Sequence, residues 1–149
     1  FSSRRRHTRF RNVTGVQTCA LPILLPRIES DFLELMMHTA AGTLKDTEVS
    51  ITTNTACTVM LVSKGYPDQY EKGKVITGLD GVNNCIVFHA GCKSSGDDVV
   101  TSGGRVIAVT AMAPEMKEAL ALCYANASVL NFENKYYRTD IGKDLLTYL

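Results

Sequence analysis

The chain lacks the sequence features of several common protein classes. None of its apolar runs approaches the roughly 20 residues that a membrane-spanning helix needs. It contains neither G-x-x-x-x-G-K-[ST] nor G-x-G-x-x-G, the two glycine-rich loops that hold the phosphates of nucleotides. No C-x-x-C pair occurs, and no histidine stands at a zinc-ligand interval. These absences exclude a spanning helix, the two nucleotide loops and a common type of zinc site.

Catalytic side chains are scarce as well. Past residue 23 the only histidines are His38, on a predicted helix, and His89, at the end of a predicted strand. No nucleophile and base form a recognisable pair, so we assign no catalytic residue. We expect His89 to be a structural histidine, and we expect the cysteines beyond residue 23 to be buried, reduced thiols of a cytoplasmic protein. These are Cys57, Cys85, Cys92 and Cys123.

The first 23 residues differ from the rest of the chain in charge. They hold five arginines and no acidic residue, so the remainder carries 11 Lys and Arg against 15 Asp and Glu, a net charge of −4. Ser3 to Arg9 and Val13 to Ile23 also back-translate into two primer sequences of sequencing-adapter DNA. We therefore interpret residues 1–23 as a non-native, adapter-derived and disordered tail, and we set them aside when predicting the fold.

Apolar spacing predicts helices at both ends of the remaining chain. The first helix is capped by Ser30 and stops at Gly42. The second begins at Pro114, and a third runs from Asp140 to Leu149. Apolar residues recur every three or four positions in the first two helices. They are Phe32, Leu35 and Met36, and then Met116, Ala119, Leu120, Cys123 and Ala127.

Short apolar runs separated by turn residues predict strands between and after these helices. We expect Ser102-Gly103-Gly104 to be a tight hairpin turn whose glycines adopt positive φ. The predicted strands are 56–63, 75–77, 85–89, 99–101, 105–112 and a final one near Tyr136. Strands joined by short turns indicate an α+β fold with a mainly antiparallel sheet and flanking helices.

Five glycine-containing motifs follow one another in the chain. They are Gly65-Tyr66-Pro67, Tyr70-Glu71-Lys72-Gly73, Val87-Phe88-His89-Ala90-Gly91, Val100-Thr101-Ser102-Gly103-Gly104-Arg105-Val106 and Arg138-Thr139-Asp140-Ile141-Gly142. In this order and spacing they resemble the C-terminal domain of the phosphoribosylamine–glycine ligase family, also called glycinamide ribonucleotide synthetases. The resemblance runs from about Pro26 to Leu149.

The resemblance implies a division of the chain and a parent enzyme. Residues 24–47 would be the terminal helix of an ATP-grasp lobe, and residues 48–149 the synthetase C-terminal domain. Members of the family are cytoplasmic ATP-grasp ligases that join phosphoribosylamine to glycine in purine biosynthesis, with ATP and Mg²⁺ (or Mn²⁺) as cofactors. Their metal ligands lie just upstream of the position of Pro26, where this chain has its adapter-like residues. We therefore expect this fragment to bind neither cofactor and to be inactive without the missing N-terminal and ATP-grasp domains.

The resemblance also suggests where the substrate phosphate binds. Related ATP-grasp enzymes of purine synthesis use a Lys and an Arg of the corresponding domain, and here the candidates are Lys93 and Arg105. An arginine offers forked donors to a phosphate, and the glycines Gly103 and Gly104 would let backbone N–H groups approach it. For both cations a purely structural or solvated role stays open. Tyr66 is expected only to pack, with its hydroxyl at the surface.

Two other interpretations remain. The chain could be a stand-alone, non-catalytic module that binds a phosphorylated ligand through Arg105 and Lys93. It could instead bind nucleic acid through its arginine-rich first residues, although an acidic body offers no footprint for a polyanion. We expect no nucleic-acid partner and no membrane partner.

Overall fold

Two long antiparallel strands form the centre of the fold. The computed structural model describes residues 20–145. Strand β1 (Thr55–Ser63) pairs along its length with a later strand, β5 (Arg105–Ala113), with one register shift after Leu61. Strand β2 (Ile86–His89) flanks β5, and the short β6 (Lys135–Tyr136) flanks β1, which gives a four-stranded sheet of order β2-β5-β1-β6. Strands β3 (Cys92–Ser95) and β4 (Asp98–Thr101) form a separate antiparallel pair.

One helix covers one face of the larger sheet and closes the core. Helix α2 (Met116–Val129) packs on β1 and β5, whose alternate residues point towards it because side chains alternate across a strand. Burying each large apolar side chain there contributes about 1.5–3 kcal/mol. Fully buried members of this core are Val59, Leu61, Ile107, Val109, Ala119, Cys123, Ala127 and Leu130. The predicted α+β fold with a mainly antiparallel sheet is therefore confirmed.

Helix α1 (Phe32–Ala41) belongs to a separate unit that precedes β1. Gly42 ends it in the left-handed conformation (φ 71°), as predicted, but Asp31 caps it by accepting from the amides of Leu33 and Glu34. Ser30, the predicted cap, instead accepts from the amide of Ser50 (2.7 Å), because a returning segment lies beside it.

That returning segment defines the extent of the first unit. Thr52 donates to the carbonyl of Arg27, and Glu29 donates to the carbonyl of Ser50, so residues 27–52 close on themselves. The boundary predicted between residues 47 and 48 lies inside this unit. Of the three apolar positions predicted for α1, Leu35 is buried, whereas Phe32 and Met36 remain 46% and 45% exposed.

The predicted hairpin at Ser102-Gly103-Gly104 is wrong. The strands on either side of it belong to different sheets, because β4 pairs with β3 and β5 pairs with β1 and β2. The two glycines are not among those with positive φ. The pairing strand β3 was not predicted, since Lys93, Ser94 and Ser95 are polar and exposed. The predicted strand 75–77 forms only isolated bridges, from Val75 to Val100 and from Thr77 to Asn131.

The two ends of the described residues also depart from prediction. Residues 20–24 are helical, and Pro22 is buried with its carbonyl accepting from the hydroxyl of Thr110 (2.8 Å). Residues 20–23 belong to the tail predicted to be disordered, but in the structure they are held by burial of Pro22 and by its hydrogen bond with Thr110. Residues 1–19 lie outside the described residues. Residues 141–144 form turns in place of the helix predicted from Asp140, and the last four residues are not described. Between residues 20 and 145, no helix is long and apolar enough to cross a membrane.

Candidate functional site

A cavity of about 610 Å³ lies where the end of β2 meets the start of β5. Its polar lining comes from His89, Gly91, Gly104 and Arg105, and the ring of Tyr66 forms another part of the wall. The remaining lining is apolar and comes from Phe88, Ala90, Ala108, Leu21, Pro22 and Leu25. A mainly apolar cavity with a few convergent polar groups is the usual form of a small-molecule site.

Antiparallel pairing of β2 with β5 brings two distant motifs to this cavity. His89 lies opposite Ile107 in the ladder, so the end of β2 lies beside the beginning of β5. Beyond the strand, Ala90 donates to the carbonyl of Val106 (3.0 Å) and Gly91 to that of Arg105 (2.7 Å). The motif that ends at Gly91 and the motif that contains Arg105 therefore form one surface.

Gly91 fits this junction only because it has no side chain. A Cβ on Gly91 would lie 2.5 Å from the carbonyl oxygen of Arg105 and 2.8 Å from the Cα of Gly103. The carbonyl of Gly91 accepts from the amides of Ser102 (2.7 Å) and Gly103 (3.1 Å). The amide of Gly103 is thus used within the protein, and Gly103 is not among the residues that line the cavity.

Gly104 must also lack a side chain, because the ring of Tyr66 packs directly against it. A Cβ on Gly104 would overlap the aromatic ring of Tyr66, with two further ring carbons at 2.8 and 2.9 Å. Tyr66 is 39% exposed as a residue, whereas Gly104 is buried beneath its ring. Tyr66 was not predicted as a site residue, although its place in a glycine-containing motif is a signal that could have identified it.

The structure separates the two cations that the sequence analysis grouped. Arg105, the first residue of β5, is half-buried and lines the cavity. Lys93 is exposed on β3 opposite Val100 and does not line the cavity. His89, expected to be structural, is exposed at the cavity wall.

Other ionisable groups of the described residues have structural roles. Arg138 and Asp140 form an ion pair through two hydrogen bonds of 2.9 Å, which holds the pKa of the carboxyl below its usual value. Glu71 pairs with Lys74 (2.9 Å), which also contacts Glu133 (2.7 Å), and the hydrogen bond from Lys74 lowers the pKa of Glu71.

The described cysteines are unpaired thiols. Cys57 and Cys123 are buried as expected, whereas Cys85 and Cys92 are half-buried. Burial raises the pKa of each thiol, and that of Cys123 reaches about 12. The thiols are therefore protonated at neutral pH, so they are poor nucleophiles.

Fold and cavity together define the class of protein: an α+β domain with a cavity at glycine-rich strand ends. Comparison with known families then identifies which domain it is. Residues 56–144 match the family described as phosphoribosylglycinamide synthetase, C domain, and the chain belongs to that family.

Similar proteins agree with this assignment. A phosphoribosylamine–glycine ligase of Chlorobaculum tepidum is 42% identical over 127 residues, which cover 83% of this chain and 30% of the relative. A bifunctional purine biosynthetic protein of Dictyostelium discoideum is 37% identical over 131 residues, covering 85% of this chain and 16% of the relative. The chain thus spans less than a third of the length of these proteins.

A solved structure supports the fold as well as the family. The crystal structure of phosphoribosylamine–glycine ligase from Thermotoga maritima superposes with a TM-score of 0.59 at 31% identity. The match covers 72% of this chain and 27% of that one. The predicted resemblance to the C-terminal domain of this ligase family is therefore confirmed.

Proposed function

We propose that the chain forms the C-terminal part of an ATP-dependent ligase of de novo purine biosynthesis. The parent enzyme would join 5-phosphoribosylamine to glycine to form glycinamide ribonucleotide in the cytoplasm. In this proposal, the cavity beside Arg105 receives the sugar phosphate of phosphoribosylamine. The observation that carries it is the meeting of two family motifs, residues 87–91 and 100–106, at one cavity lined by an arginine.

The chemistry of the cavity suits a small phosphorylated ligand. A guanidinium presents forked N–H donors that match the oxygens of a phosphate, and partial burial of Arg105 strengthens such a contact. Gly91 lines the cavity beside it without a side chain, whereas Gly104 lies beneath the ring of Tyr66. Leu21 and Pro22 also line the cavity but belong to the residues interpreted as non-native, so the side formed by His89, Gly91, Gly104 and Arg105 carries the proposal, and the volume of the cavity does not.

In this proposal the metal and nucleotide part of the reaction belongs to other domains of the parent enzyme. Nowhere between residues 20 and 145 do three or more His, Cys, Asp or Glu side chains form a group that could hold a metal ion. We therefore assign ATP and Mg²⁺ (or Mn²⁺) to the N-terminal and ATP-grasp domains of the parent enzyme. The role that remains for this domain is to hold the phosphate end of the substrate, which fixes the position of its amine for reaction. By itself the chain would not turn over phosphoribosylamine and glycine.

Binding of ribose 5-phosphate tests the proposal on the chain as it exists. The ligand is a stable analogue of phosphoribosylamine, and the 16.3 kDa chain suits a titration followed by amide NMR signals of Gly91 and Gly104. Arg105→Ala should weaken binding at least tenfold, roughly the loss expected for a hydrogen bond to a charged group. Lys117→Ala removes the same charge from the exposed surface of α2 and should leave binding unchanged.

The outcomes separate the proposed role from its alternatives. Equal affinity of the Arg105→Ala and Lys117→Ala variants would remove Arg105 from the phosphate site. Lys93→Ala tests whether Lys93, which lies outside the cavity, also contributes to ribose 5-phosphate binding. Recovery of the natural coding sequence upstream of Leu24 distinguishes a ligase from a stand-alone module, because only the ligase interpretation requires a nucleotide-binding lobe there. In the complete enzyme, Arg105→Ala should raise KM for phosphoribosylamine and leave KM for ATP unchanged.

A further inference from the structure

Tyr66 occupies a position that packing alone does not explain. Tyr66 lines the cavity and is 39% exposed as a residue, while Gly104, beneath its ring, is buried and cannot carry a side chain without displacing the ring. Gly104 directly precedes Arg105, and Tyr66 and Arg105 both line the cavity. A ligand held by Arg105 therefore has Tyr66 as a neighbour.

The backbone holds the ring of Tyr66 in place. The amide of Tyr66 donates to the carbonyl of Ser63 (3.1 Å), and the amide of Ser63 donates to the carbonyl of Gly104 (2.9 Å). The rings of Tyr66 and Tyr70 meet in an edge-to-face arrangement with their centroids 6.0 Å apart. Gly65 shapes the turn at φ 96°, where a Cβ would overlap the carbonyl of Gln69. A ring fixed in this way loses little entropy when a ligand packs on it.

We propose that Tyr66 determines specificity by binding the sugar of a pentose 5-phosphate whose phosphate lies at Arg105. The inference rests on the proposed phosphate role of Arg105. The C–H face of a sugar packs well on an aromatic ring, and the phenol can exchange hydrogen bonds with sugar hydroxyls. A bare phosphate ion reaches Arg105 but has no carbon face to place on Tyr66. The ring therefore discriminates the sugar phosphate from phosphate alone.

The test compares two probes, ribose 5-phosphate and inorganic phosphate, titrated into the chain and its variants. Tyr66→Ala should weaken ribose 5-phosphate binding about five- to tenfold, the range expected for loss of an aromatic contact, and leave inorganic phosphate binding within about twofold. Tyr66→Phe should retain most of the affinity for the sugar phosphate. Tyr136→Ala removes an exposed aromatic residue of β6, away from the cavity, and should change neither affinity.

Gly104→Ala provides a second route to the same result without removing the ring. Its methyl group must push the Tyr66 ring aside, so this variant should weaken ribose 5-phosphate binding as Tyr66→Ala does. In the double variant the two losses should not add, because the ring is already absent. Thermal melting of each variant shows whether the fold is kept.

The results distinguish failure of this inference from failure of the proposed function. If Arg105→Ala weakens both probes while Tyr66→Ala weakens both equally or neither, the sugar contact is refuted and the phosphate site stands. Additive losses for Gly104→Ala and Tyr66→Ala also refute it. If the unmodified chain binds neither probe at the cavity, both the sugar contact and the phosphate role are overturned.

Discussion

Substitution of Gly91 tests whether the junction between β2 and β5 is as tight as the structure indicates. A methyl group at this position would lie 2.5 Å from the carbonyl oxygen of Arg105 and 2.8 Å from the Cα of Gly103, both backbone atoms. Normal contact distances require the two segments to separate by roughly 0.5–1 Å. Such a movement strains the Gly91–Arg105 hydrogen bond and the two bonds that the Gly91 carbonyl accepts.

The expected loss can be worked out from these contacts. Overpacking costs about 1–3 kcal/mol, and weakening one hydrogen bond adds about 1 kcal/mol, so Gly91→Ala should destabilise the fold by about 2–4 kcal/mol. At roughly 4 °C per kcal/mol for a domain of this size, the melting temperature should fall by about 8–16 °C. Circular dichroism during thermal and urea unfolding measures both quantities.

Gly96→Ala is the matched control for this prediction. Gly96 has φ 62°, and a Cβ there meets nothing within 4 Å, so the variant carries only the conformational penalty of about 1 kcal/mol. Gly91 is not among the residues with positive φ, so it carries only the steric penalty. If Gly91→Ala melts at the same temperature as Gly96→Ala, the close approach inferred at the junction is wrong.

Two further predictions concern groups outside the cavity. Lys135 donates to the carbonyls of Leu130 and Ala127 (3.0 Å for the latter) at the end of helix α2, so Lys135→Ala should lower the unfolding free energy by about 1–2 kcal/mol in urea titrations. Lys117→Ala, at an exposed position, should change the unfolding free energy by less than about 0.5 kcal/mol. Equal effects of the two substitutions would contradict the capping role of Lys135. The pKa of the Cys123 thiol is about 12 in the folded state and about 9 in the unfolded chain. The contribution of this difference to stability is therefore complete below about pH 9 and is lost between about pH 9 and 12. Urea unfolding at pH 8 and pH 10.5 tests this prediction: the unfolding free energy of the parent chain, relative to that of Cys123→Ala, should fall between the two pH values. A rise would refute the prediction.

Local sequence signals predicted the elements whose determinants are local. Gly42 ends α1 because the left-handed conformation suits glycine, and the 3.6-residue spacing of apolar residues placed α2 correctly. The apolar run at residues 56–63 became β1 with alternate residues buried. Ser30 and Asp31 were equally good caps by composition, and only the returning segment at Ser50 decided between them.

The same signals did not predict which strand pairs with β4, or what the glycines after it contact. The run Val99-Val100-Thr101, followed by two glycines and another apolar run, has the pattern of a hairpin, yet β4 pairs with the polar strand β3. Gly103 and Gly104 do not form the predicted hairpin turn but allow close packing. Gly104 makes room for the ring of Tyr66, and Gly103 lies against Gly91. Such contacts join residues far apart in the chain, so no local pattern reveals them.

The amino-acid sequence by itself determined the family, the α+β class and Arg105 as a candidate for binding phosphate, because motifs and apolar spacing are properties of neighbouring residues. The tertiary structure decided which of these residues share a site. Antiparallel pairing of β2 with β5 placed His89, Gly91 and Arg105 around one cavity, left Lys93 outside it, and added Tyr66 through a turn that packs on Gly104. A site depends on distances between side chains, and those distances arise only when separate strands pair.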